Sequence, residues 1–318
     1  MSGPMKALDA SGLVAWTGPD RYAGIENLLN PAWVAEPKID GCRMQVMFGP
    51  GANRVIAGSR DYSGQFPHLR DLDRPDLYGT VLDGEMTYLG GMATRLMNSN
   101  PDRAALAQKH NGWATFHAFD VHMANGRDVS QRTYADRRML LELVTTAAAS
   151  RHIRLVESLP ATAEAIDAAL AQGLEGVVLK RRDSRVQAGV RSPDWRKVKR
   201  TMTGDFFIIG SKPGEGSNRG RVGSLKVAYW DDETQLPVHV GDVGSGLTDR
   251  MRTELTDPTT GGVRRAWMGR VVEVAAQEVT PDGVLRHPRF VRVRGDKTAL
   301  DCGPEQINGF HLMRGVNA

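Results

Sequence analysis

The rhythm of hydrophobic and polar positions changes twice along this chain. Val34 to Phe48 places apolar and β-branched residues around a charged centre, which reads as two strands meeting at a turn. Val81–Leu82, Thr115–Val121 and Gly176–Leu179 are short apolar runs with β character, bounded by glycine and charge. Between them the period lengthens. Tyr134 to Ala149 offers Leu140, Leu141, Leu143 and Val144 on an apolar face, which predicts a helix. Ala161 to Gln172 is alanine-rich, includes Ile166 and Leu170, and stops at Gly173, a usual end signal for a helix. After Thr201 the pattern becomes strand-like throughout: Phe206–Ile209, Val222–Tyr229, Val238–Val243, Val271–Val279 and Phe290–Val293, several of them separated by glycine-rich turns. The expectation is a mixed α/β domain over residues 1–202, followed by a small all-β barrel of about five strands over 203–318.

The length of 318 residues suits two domains of roughly 100–200 residues each. A chain with 25% charged and 6% aromatic residues is neither fibrous nor wholly disordered. No apolar run approaches the ~20 residues that span a bilayer, and Met1 to Ala10 shows no basic flank leading into an apolar stretch. The reading is a cytoplasmic protein with no membrane partner. Two cysteines, Cys42 and Cys302, cannot build a four-thiolate zinc site and are expected as free thiols. The net charge of +4 names no partner, but its distribution is uneven. Nine basic residues and two acids fall between Lys180 and Arg200, which reads as a surface for phosphates.

The residues that carry chemistry are scattered but ordered. Glu36 and Lys38 open the first group, in Lys38-Ile39-Asp40-Gly41-Cys42-Arg43. Asp83-Gly84-Glu85, Phe116 to Asp120, Glu175 to Lys180 and Trp195 to Lys199 follow. Each charged group borders a short apolar run, so strand ends can bring them to one pocket. Two separated glutamates, two lysines two apart and a further lysine suit chemistry on a metal-bound polyphosphate.

In this order the groups resemble the nucleotidyltransferase motifs of ATP-dependent DNA ligases. Gly220 to Leu225 and Gly241 to Thr248 look like the oligonucleotide-binding (OB) fold domain of such ligases, and Arg289 to Lys297 like their last motif. The match covers nearly the whole chain. Only 37 residues precede Lys38, so the expectation is a ligase without the large helical DNA-binding domain of bigger ligases, and the resemblance is to the minimal two-domain ligases of viruses and bacteria. Where the family reads Ser-Arg-x-Gly, this chain has Ser59-Arg60-Asp61-Tyr62-Ser63-Gly64.

The resemblance implies an α+β nucleotidyltransferase domain with antiparallel sheets and flanking helices, then an OB-fold barrel. It implies that Lys38 takes AMP from ATP, that AMP passes to the 5′-phosphate of a DNA break, and that the 3′-hydroxyl then displaces it. Glu85 and Glu175 would ligate Mg²⁺, with Mn²⁺ as a substitute. Phe119 would stack on adenine. Arg43 and Arg60 would hold the ribose and the DNA phosphate, and Glu36 would also border the nucleotide. Lys197 and Lys199 would reach the nucleotide phosphates, and Arg294 and Lys297 the departing pyrophosphate. The partner would be nicked duplex DNA, engaged by a monomer in replication, repair or recombination. Alternatives are an RNA ligase or an mRNA-capping guanylyltransferase with the same lysine chemistry, or a non-catalytic OB-type nucleic-acid binder.

Overall fold

Strict alternation in Cys42–Met47 sends Cys42, Met44 and Val46 into a core and leaves Arg43, Gln45 and Met47 on the other face. This strand sits inside a mainly antiparallel sheet whose order is Ile153–Leu155, Thr115–Ala124, Val81–Tyr88, Cys42–Met47, Arg54–Ala57 and Arg60–Asp61. The computed structural model describes residues 6–9, 22, 25–172, 174–199, 202–280 and 282–307. The helix stop expected at Gly173 lies outside them, as do Arg200 and Thr201 at the expected boundary.

A second sheet runs Lys6–Asp9, Arg191–Lys199, Gly176–Arg181, Trp33–Pro37 and Leu159–Pro160. Its central pair, Trp33–Pro37 with Gly176–Arg181, is antiparallel, with Pro37 opposite Val177 and Glu36 opposite Val178. Two glycines bring the motifs close. A Cβ at Gly84 would sit 2.5 Å from the His117 carbonyl oxygen, and one at Gly41 would sit 2.8 Å from that of Met86. Any larger residue at either place would push apart the strands that carry Glu85.

Tyr134–Ala148 is helical, begun by Thr133, whose side chain accepts from the Asp136 amide. Its buried face comprises Tyr134, Arg137, Leu141, Val144 and Ala148. Ala163–Ala171 is also helical. Sequence patterning passes over the Pro101–Asn111 helix, because Ala104 and Gln108 are its buried residues and no apolar stripe marks it.

The described chain divides into two compact units, with Val198 in the first and Lys199 in the second. The second unit has a five-stranded antiparallel sheet in the order Leu236–Val243, Val222–Asp231, Met202–Pro213, Val271–Ala276 and Arg289–Arg294. Phe206, Ile208, Leu225, Val227, Val240, Val272 and Val274 fill its core. The expected run Val271–Val279 is split into Val271–Ala276 and Glu278–Val279, which pair with different strands. One short helix, Asp249–Leu255, anchors Arg252 on the carbonyls of Val222, Gly223 and Gly244.

Candidate active site

Lys38 follows the Trp33–Pro37 strand and Glu175 precedes the Gly176–Arg181 strand. Antiparallel pairing of those strands puts both residues at one end. The Lys38 amide donates to the Gly176 carbonyl at 2.9 Å, and Lys38 Nζ lies 2.5 Å from Glu175 Oε2. Residues 137 apart in sequence thus meet through one strand pair.

Beside Lys38 is a cavity lined by Glu36, Ile39, Arg43, Glu85, Phe119, Val178, Lys180, Trp195 and Lys197 among others. Arg43 and Glu85 are directly opposite across adjacent strands. Arg43 is clamped by Asp83, with Nε on Oδ1 at 3.1 Å and Nη2 on Oδ2 at 2.6 Å. Its guanidinium lies 5.2 Å from the centre of the Phe119 ring. Phe119 is the extra residue of a β-bulge: Gly84 pairs with Ala118 and Asp83 with Asp120, so residue 119 has no partner in the ladder. A bulge of this kind re-aims a side chain, and here it turns the ring into the cavity.

The back wall is a buried charge network. Glu36, 2% exposed, accepts from the Tyr134 hydroxyl and pairs with Lys180 Nζ at 2.6 Å. Lys180 also donates to the Phe119 carbonyl at 2.9 Å and lies over the rings of Trp195, Phe119 and Tyr134 at 4.2, 4.7 and 5.1 Å. Burial pushes the Lys180 amine below its ordinary value, against the pull of Glu36. Asp120 supports the wall from behind through a two-pronged contact to Arg137 at 2.8 and 2.9 Å. That clamp fixes the helix that carries Tyr134.

Glu85 differs from these paired acids. Its Oε2 is buried without a hydrogen-bond partner, and burial pushes the carboxyl up to about 7. An orphaned carboxylate oxygen facing a cavity beside Lys38 suits a hard cation. Among the described residues no three acids, histidines or cysteines form a cage for a metal. Mg²⁺ does not require one, since it takes one or two carboxylates and completes its shell with water and phosphate. Glu85 fits that role directly. Glu175 could join it after exchanging its contact with Lys38.

Of the remaining expected residues, Lys197 lines the cavity, and Lys199 follows it on the same face of the Arg191–Lys199 strand. Arg60 is exposed on the Arg54–Ala57 and Arg60–Asp61 hairpin and is not part of the cavity wall. Arg294 and Lys297 belong to the second unit, where both contact Asp205. The basic run from Lys180 to Arg200 is not one phosphate surface. Lys180 is buried, while Arg181 is exposed and paired with Asp183 at 2.7 Å. Leu179 and Lys180 are both buried, and exposure begins at Arg181, where the strand ends. Sequence reading missed Tyr134, Trp195 and the wall role of Lys180. The last two stood at the edges of recognised motifs, whereas Tyr134 carried no signal beyond opening a helix.

Residues 20–199 match the family described as the ATP dependent DNA ligase domain, and residues 213–294 match the DNA ligase OB-like domain. The chain is 32% identical over 299 residues to the multifunctional non-homologous end joining DNA repair protein LigD of Mycobacterium tuberculosis, covering 87% of this chain but 38% of that protein. The crystal structure of the ligase domain from M. tuberculosis LigD is 30% identical, with a TM-score of 0.50, over 95% of this chain and 97% of that one. A Lig E DNA ligase, 19% identical with a TM-score of 0.61 over 92% of this chain and 100% of that one, shares the fold.

Proposed function

The chain belongs to the ATP-dependent DNA ligase family, and from that premise we propose that it seals 5′-phosphate/3′-hydroxyl breaks in duplex DNA through AMP carried on Lys38. The observation that carries this reading is that Lys38 lines one cavity together with Glu36, Phe119, Glu85 and Lys197. Relatives named for end joining and DNA repair support a role in repairing breaks.

The chemistry follows from the wall. Phe119 offers a ring face to adenine, and Glu36 offers a carboxylate to the base edge. Lys38 attacks the α-phosphorus of ATP after losing its proton, because a protonated amine has no lone pair to give. A P–N bond forms, the P–O bond to pyrophosphate breaks, and Lys197 and Lys199 balance the phosphate charge. A Mg²⁺ ion held by Glu85 and Glu175 would neutralise further charge on the polyphosphate. AMP next passes to the 5′-phosphate of the break, which Arg60 helps to hold. The 3′-hydroxyl then attacks that phosphate and AMP leaves. All three steps are displacements at phosphorus, so positioning and cationic stabilisation dominate over general acid–base catalysis.

The test is incubation with ATP or GTP labelled at the α-phosphate, with denaturing electrophoresis of samples taken before and after a nicked duplex is added. Label from ATP should stay on the protein, and the nicked duplex should discharge it as free AMP while the nick is sealed. Label retained from GTP would favour a guanylyltransferase, and no label with retained DNA binding would favour a non-catalytic binder.

A further inference from the structure

In the second unit, strand register aligns a row of charge on the outer face of the sheet. Asp205 is opposite Glu273, and Glu273 is opposite Arg292; two residues along, Phe207 is opposite Val271, and Val271 is opposite Arg294. Neighbouring Phe206, Val272 and Phe290 belong to the opposite, core-facing set. On the outer face Phe207, Val271 and Cys302 form a separate apolar patch with Trp230 against it. Asp205 borders this patch and is 7% exposed. Its backbone amide is fixed by Gln306 Oε1 at 2.9 Å.

That nearly buried carboxylate holds two cations. Arg294 Nη1 reaches its oxygens at 2.9 and 3.1 Å, and Lys297 Nζ reaches Oδ2 at 2.6 Å. Asp296 takes the other edge of the guanidinium, from Nε at 2.9 Å and Nη2 at 2.7 Å. Two cations and two carboxylates therefore form one neutral cluster. Its cations are still partly open, with side-chain exposures of 17% for Arg294 and 28% for Lys297. An ammonium has three donors, and the contact with Asp205 uses one.

We propose that Asp205 is a positioning residue for the adenylation step, holding Arg294 and Lys297 as a preassembled cation pair for the departing pyrophosphate. This rests on the ligase reading and on the placing of those two residues at pyrophosphate. Asp205 acts by charge and by geometry. It offsets the repulsion between two neighbouring cations, and it restrains a lysine side chain whose rotamers would otherwise have to be ordered as charge develops on the leaving group. Asp296, largely exposed, orients the arginine, whereas Asp205 bridges the arginine and the lysine.

The experiment measures three rates on full-length Asp205→Asn protein. They are AMP transfer from ATP to Lys38, discharge of the adduct by pyrophosphate, and sealing of a nick that already carries AMP. The first two share a transition state and should fall by the same factor, about 10–100-fold, as for partners that orient an active group elsewhere. Sealing should stay near wild type. In an Arg294→Ala/Lys297→Ala background, Asp205→Asn should cost nothing more, because its effect runs through those cations. A further loss in that background, an equal loss in all three rates, or no loss in any would overturn the proposal. Should Asp205→Asn fail to fold, Asp205→Glu keeps the charge but displaces it, and the same pattern of rates is required. Wild-type protein that took no label from ATP would remove the ligase reading itself, and adenylation unaffected by Arg294→Ala/Lys297→Ala would remove the role of the pair. Either result would appear before Asp205 is altered.

Discussion

The Lys38 amine and the Glu175 carboxylate are joined at 2.5 Å because the strands that precede one and follow the other run antiparallel side by side. The contact holds the amine in place, with its N–H donating to the carboxylate, so the amine has to leave Glu175 to turn towards a phosphorus atom. Exchange of Glu175 onto another cation would free Lys38 while leaving the carboxylate compensated.

Lys38→Ala should form no covalent AMP adduct and should keep its fold, as read by intact mass spectrometry and circular dichroism. Glu175→Gln should still form adduct, but about 100-fold more slowly, in line with losing one charged group at a reacting centre. Full adduct yield from Lys38→Ala would show that another group is the nucleophile.

Glu85→Gln should lower the adenylation rate by about 100-fold or more at fixed Mg²⁺, since a metal contributes several kcal/mol of charge stabilisation. The check is a Mg²⁺ titration of AMP transfer. Part of the loss should be recovered at high metal concentration. A titration curve superimposable on wild type would mean that the orphaned Glu85 oxygen serves no cation.

Lys180→Ala should destabilise the first unit by about 3–5 kcal/mol, because it leaves the buried Glu36 carboxylate without its main counter-charge. Arg181→Ala, one residue away, removes an exposed pair with Asp183 and should cost about 0–1 kcal/mol. Urea unfolding of the two variants compares neighbours of the same charge that differ in burial. Similar midpoints would show that Glu36 finds other compensation.

His68 gives a pH dependence with a defined sign. Burial, aided by repulsion from His152, pushes its imidazole down to about 4. An unfolded chain binds that proton near pH ~6.5, so between the two values the unfolded state holds more protons than the folded one. The stability contributed by neutral His68 is full above about 6.5 and is lost as pH falls towards 4, by on the order of 3 kcal/mol. His68→Gln should flatten the fall. Denaturant midpoints measured from pH 7 to pH 4 provide the check, and an unchanged slope in the variant would exclude His68 as its source.

DNA affinity should fall steeply with salt. Arg185 and Arg191 are exposed in the basic run. Each phosphate neutralised by the protein adds roughly 0.9 to the log–log slope, so Arg185→Ala/Arg191→Ala should reduce it by up to about 1.8. Equal slopes for the pair and wild type would mark these arginines as a solvated face.

Local pattern alone determined a great deal here. Short apolar and β-branched runs bounded by glycine and charge marked the strands around Lys38, Glu85 and Phe119. The leucines marked the Tyr134–Ala148 helix but not its inner face, since Leu143 is exposed and only Leu141 and Val144 of the expected set are buried, and the short runs after Thr201 marked the barrel strands. The motif residues were legible because phosphate chemistry requires lysine, glutamate and arginine, and because each lay beside an apolar run that fixed it in a sheet. Tertiary structure decided what those residues touch. Tyr134 reaches Glu36 across 98 residues through the Arg137–Asp120 clamp, and Asp205 reaches Lys297 across 92. Neither distance along the chain leaves a local trace, because strand register and helix docking set such pairings. Lys180 shows the division most plainly. In sequence it is one of nine basic residues in a run, whereas three aromatic rings and the Glu36 carboxylate enclose it inside the protein, while Arg181 next to it faces water.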